Sequence, residues 1–144
     1  MANDTPDYPG KRFGLPIQGP MSAAPMGRRL LALIIDWLLC ALIASSLTGH
    51  VLFGGASDKH YFASQYATLG LFVLEVYLLT AISGLTVGKR LLRIRTISLT
   101  GGAPGFKWAA LRTLLLLFVI PACITDRDLR GLHDRAANTI VVRM

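Results

Sequence analysis

Residues 27–44 read Gly27-Arg28-Arg29-Leu30-Leu31-Ala32-Leu33-Ile34-Ile35-Asp36-Trp37-Leu38-Leu39-Cys40-Ala41-Leu42-Ile43-Ala44, and this stretch decides the fold class. Two arginines open it, an apolar run follows, and one carboxylate stands inside the run. Arg29 to Thr48 is about 20 residues, or about 30 Å of helix, which matches the thickness of a hydrocarbon core. A charge at the centre of such a span costs about 2.5–3.5 kcal/mol on insertion scales, so Asp36 needs a partner, a water path or a proton. Arg29 lies on nearly the same helix face. Its side chain nevertheless leans toward the helix start and away from Asp36, so its expected partners are lipid phosphate or an acid of the C-terminal segment. Asp126, Asp128 and Asp134 are the candidates there.

The rest of the composition agrees. The chain has 144 residues, which allows one domain, and 53% of them are hydrophobic. The apolar residues fall in three long blocks instead of at amphipathic spacing. Net charge is +7, from 15 basic and 8 acidic residues. In a soluble protein that excess would suggest nucleic acid. Here the basic residues flank the apolar blocks, which points to anionic lipid headgroups and excludes a nucleic-acid partner. Cys40 and Cys123 both sit in apolar blocks, so no disulfide framework is expected. His50, His60 and His133 lack metal-ligand spacing, and no metal or cofactor is expected.

Outward from the first span, residues 1–26 hold most of the prolines and several glycines, and read as a flexible tail ahead of a membrane domain over 27–144. A short polar loop follows the first span. The second apolar block runs from about Tyr61 to Leu85 with Glu75 as its one charge. Residues 86–107 carry Lys89, Arg90, Arg93, Arg95 and Lys107 and no acid, which predicts a cytoplasmic loop and a cytoplasmic N-terminus. Arg93 to Leu99 alternates polar and apolar, so a short strand is predicted there. The β-branched Thr139-Ile140-Val141-Val142 is its expected partner. The third block, Trp108 to Thr125, is short, contains Arg112 and is interrupted by Pro121. A shallow, re-entrant or kinked helix is predicted, with a straight crossing as the alternative. The fold class is therefore an all-α membrane protein with two full spans, a third shorter membrane helix and a short cytoplasmic strand pair.

Depth follows from helical rise. Asp36 lies about 12 Å and Glu75 about 15 Å below the cytoplasmic boundary, on neighbouring helices, with Arg112 able to reach toward them. Either Asp36 and Glu75 share a proton or cation on a conduction path, or Arg112 or protonation neutralises them and they lock the helices together. No nucleophile–base pair is visible, so an enzyme is not expected.

With these residues placed, the chain resembles the RDD family of small membrane proteins, named for one arginine and two aspartates. Arg29 and Asp36 match the first helix of that pattern, Thr86-Val-Gly88-Lys89-Arg90 follows the second span, Arg112 stands in the third, and Arg130-Gly-Leu-His-Asp134 lies near the end. Two departures stand out: the family often has a glycine near Arg93, and a longer hydrophobic region before the final aspartate. The resemblance implies a multi-pass protein of the bacterial inner membrane and picks out Arg29, Asp36 and Asp134 as motif residues. It adds the expectation that Arg29 and Asp134 form a charge-assisted pair, clamping the C-terminal segment onto the first helix. The alternative is that Arg29 holds lipid phosphate and Asp134 bonds backbone near Ala136 and Ala137. The expected role is a non-enzymatic helical membrane module that assembles with itself or with a membrane partner. A cation or proton transport subunit using Asp36 and Glu75 is the alternative.

Overall fold

The computed structural model describes residues 8–49, 61–118 and 129–144. The predicted loop from His50 to His60, the Pro121 interruption, Cys123, Asp126 and Asp128 lie outside them. Helix α1 spans Met26–Thr48 and α2 spans Tyr61–Ser83. At 23 residues each, both are about 34 Å long, enough to cross a hydrocarbon core by length and composition. Only 22% of the most apolar window of each is buried, so neither has the enclosure of a soluble core helix.

What is buried on these helices explains how they pair. On α1 the buried positions are Ala32, Asp36, Cys40, Ala44 and Ser45, and on α2 they are Ser64, Thr68, Val76, Thr80 and Ala81. The seam is made of small and polar side chains, while Leu31, Ile34, Leu38 and Leu42 point outward. Small residues let two helices approach closely where large apolar side chains gain nothing by leaving lipid. An aromatic contact bridges the pair, Trp37 edge-on to Phe72 with centroids 5.3 Å apart.

Beyond α2 the chain turns sharply at Gly84, whose φ of +70° favours glycine. A β-carbon there would also run into the Thr96 carbonyl. The short helix α3, Val87–Leu91, then lies against the first half of α1, so α2 runs back along α1. Strand β1, Ile94–Ser98, follows. Arg93, between α3 and β1, takes φ +53°, the conformation a glycine adopts at least cost. Helix α4 is Phe106–Leu117, 12 residues or about 18 Å, shorter than a crossing within the described residues. Helix α5, Leu132–Ala136, leads into β2, Thr139–Arg143.

The predicted strand pair is present. β1 and β2 are antiparallel, with Ile94 opposite Arg143 and Ser98 opposite Thr139. The N-terminal segment adds to the other edge of β2: Met21 N–H donates to the Arg143 carbonyl, Arg143 N–H to Ser22, and Ala24 N–H to Val141, each at 2.9 Å. Alternation along β2 sends Val141 toward Ala24, Ala32 and Ile94, and sends Ile140 and Val142 toward Leu15 and Phe13. Residues 8–25, read from sequence as part of a flexible tail, therefore cover one face and one edge of the sheet. The physical reason is that β2 is apolar on both faces and would otherwise expose an unpaired edge.

Candidate functional site

Two buried carboxylates organise the end of the helix pair where α1 begins. Asp36 faces α3. Its Oδ2 accepts from Thr86 Oγ1 at 2.5 Å and its Oδ1 from Gly88 N–H at 2.6 Å. Thr86 is also the N-cap of α3, accepting from Lys89 N–H. Charge-assisted bonds of this kind are the strong ones, and they fix α3 on α1. Thr86-Val-Gly88-Lys89 needs no phosphate to explain its glycine. A β-carbon at Gly88 would overlap the Ala32 carbonyl.

Asp134, on α5, is fully buried and faces the first turn of α1. Arg29 reaches it with N–O 3.2 Å and spends its other terminal nitrogen on the Val141 carbonyl, also at 3.2 Å. Arg112, from α4, approaches Asp134 Oδ1 at 3.2 Å and donates to Thr96 Oγ1 on β1 at 2.9 Å. His133 and Thr139 also lie on that carboxylate, at 3.5 and 3.3 Å. Arg130 closes the back of the turn by donating to the Thr139 and Asp134 carbonyls. Burial opposes the Asp134 charge, but Arg112, His133, Arg29 and Lys89 outweigh it and hold the carboxyl below the ordinary aspartate range.

The expected Arg29–Asp134 pair is thus formed, and Arg112 joins it. Arg112 does not go to Asp36 or Glu75, the partners considered for it from sequence. Its helix packs against α5 as well as α2, at the level of the sheet. Glu75 stands apart on α2: Oε2 accepts from Cys40 Sγ at 3.1 Å, and Oε1 is buried. Asp36 and Glu75 share no direct hydrogen bond among the described residues. No group of three His, Cys, Asp or Glu there could hold a metal ion.

Lys89 is the residue that sequence reasoning left unassigned. It is 5% exposed, and its Nζ contacts Thr80 Oγ1 at 3.4 Å. Burial first, then Arg112 and Arg29, push it down to about 7, against the pull of Asp134 and Asp36. The sign of the consequence follows by linkage. Between about 7 and the ordinary lysine value of 10.5 the unfolded chain holds a proton that the folded chain does not. Stability should therefore rise from pH 7 to pH 10, because the penalty for burying a charged Lys89 is complete below that window and gone above it. Lys89→Met should be the more stable form at pH 7 and converge with wild type toward pH 10. Denaturation midpoints over that range, in neutral detergent, test this; parallel profiles would exclude it.

The sequence model of the RDD family matches residues 23–138. No curated protein and no solved structure matches the chain. The matched range takes in Arg29, Asp36, the α3 segment, Arg112 and Asp134, so every side chain of the two carboxylate clusters except Thr139 falls within it.

Proposed function

The chain belongs to the RDD family, and from that premise we propose that it is a non-enzymatic module of the cell membrane that assembles with itself or with a membrane partner. Family and two apolar helices together point to a membrane protein. The observation that carries the role is the use made of the charged residues. Asp36 gives both oxygens to α3, and Asp134 gives both to Arg29 and Arg112. These groups hold a small polar cap of α3, α5 and the strand pair onto one end of α1 and α2.

The outer faces support assembly. Ile34, Leu38 and Leu42 on α1 and Phe62, Leu74 and Ile82 on α2 are exposed. Two helices and a 12-residue third enclose little volume, so association with further helices is the natural way to complete the bundle. The basic loop after α2 supports a cytoplasmic cap and N-terminus.

One experiment reads both points: a membrane-impermeant amine crosslinker applied to inverted and to right-side-out vesicles. A discrete larger species from inverted vesicles is expected. A chain that stays at monomer mass in both preparations overturns assembly, and a product from right-side-out vesicles alone overturns the orientation.

A further inference from the structure

Positive charge exceeds negative charge beside the Arg29–Asp134 pair. A cavity of about 40 Å³ lies there, lined by Arg29, Lys89, Arg112, Thr113 and His133 among others. The two nearby carboxylates are already engaged by other donors. Lys89 makes no ion pair among the described residues, and its contact to Thr80 is long. Arg29 Nε and Thr113 Oγ1 are buried with no hydrogen-bond partner among the described residues. Buried polar groups left in this condition are rare in native proteins and ask for an explanation. Water could satisfy the hydroxyl, but it would not balance the charge.

Thr113 has a second neighbour. It also lines an open groove of about 620 Å³ between α2 and α4, whose walls include Leu69, Val73, Leu114 and Leu117. One residue thus borders, on one side, a cavity where Arg29, Lys89 and Arg112 stand among apolar side chains and, on the other, an apolar trough running along a candidate membrane span. The cavity holds about three times the ~10–15 Å³ needed by one water, which is room for the free oxygens of a phosphodiester.

We propose that the cavity and the groove form one binding site for an anionic phospholipid, its phosphodiester held by Lys89, Arg29 and Thr113 and an acyl chain lying between α2 and α4. Free phosphate would satisfy the cations but leave the groove without an occupant. A zwitterionic lipid would bring an ammonium group toward Arg29, Lys89 and Arg112, and like charges repel. The ligand that fits both halves carries net negative charge at the phosphate and apolar chain beyond it.

This inference rests on the membrane reading above and not on assembly. The full chain, purified in neutral detergent, is titrated with phosphatidylglycerol, phosphatidylcholine or inorganic phosphate at constant ionic strength while thermal unfolding is followed. Phosphatidylglycerol should raise the midpoint saturably by several degrees, as any ligand of the folded state does. Lys89→Met and Thr113→Val should each stay folded and weaken that response at least tenfold. Thr113→Val serves as the second variant, since its hydroxyl has no hydrogen-bond partner among the described residues to lose. An equal response to phosphatidylcholine, an equal response to inorganic phosphate, or wild-type titration by both variants overturns the lipid site. A chain that stays in aqueous solution without detergent would instead overturn the membrane reading, and that is seen before any lipid is added.

Discussion

Asp134→Asn is expected to lower the stability of the folded chain by about 3–5 kcal/mol, the range for removing one partner from a buried ion network. Asparagine has nearly the same shape, so the loss reports charge and not packing. The carboxylate is fully buried between Arg29 and Arg112, and its removal leaves two guanidinium groups facing each other. Arg29→Gln should also destabilise, and combining the two should cost less than their sum. An exposed pair would couple by only about 0–1 kcal/mol, and strict additivity would mean that Arg29 and Asp134 act independently. The pH dependence carries a second signature. Because Asp134 is held below the ordinary aspartate range, its contribution is present above that range and lost as pH falls through the lowered value. Wild type should therefore lose stability on acidification below about pH 4 by an increment that Asp134→Asn lacks. Equal acid sensitivity of the two would show that the carboxylate is not what holds α5 to α1.

Much of this arrangement is legible in the sequence, and for physical reasons. A 20-residue apolar run is read by length alone, and strand alternation by a period of two. The lean of a helical side chain toward its own N-terminus turns Arg29 away from Asp36 and leaves lipid phosphate or an acid of the C-terminal segment as its partner. The structure supplies the acid, Asp134. The partners of Asp36 are not legible in the sequence. They lie some 50 positions away, on a five-residue helix too short to announce itself by periodicity, and one of the two donors is a backbone N–H. Only the buried carboxylate's need for donors, set beside a threonine in N-cap position before Gly88, could have suggested the match. The same blindness applies to residues 8–25, whose prolines and glycines hide Leu15. That side chain finds its place only once β2 exists to receive it. Arg93 is the converse case, because the glycine that the family often has near this point fits the left-handed backbone found there.

Gly88→Ala is the sharper test of the Asp36 cluster, because a single methyl group is the whole perturbation. At Gly88 the added β-carbon meets the Ala32 carbonyl and comes within 3.0 Å of Asp36 Oδ1. The carbonyl belongs to α1 and cannot turn aside, so α3 must move away. Overpacking of this kind costs about 1–3 kcal/mol. Displacement also stretches the 2.6 Å bond from Gly88 N–H to Asp36, and a hydrogen bond to a charged group contributes about 1.5–3 kcal/mol. The combined loss should reach about 3 kcal/mol or more, read from unfolding in mixed micelles. Gly70→Ala supplies the control. It makes the same chemical change in the middle of α2, where nothing lies within 4 Å of the new carbon. Alanine favours helix over glycine by about 1 kcal/mol, so that variant should be neutral or slightly more stable. Ala32→Gly should fail to rescue Gly88→Ala, since the obstacle is backbone and remains when the Ala32 side chain is gone. Rescue would mean that side-chain packing separates α1 from α3, and equal stability of the Gly88 and Gly70 variants would mean that α3 is not anchored on Asp36 at all.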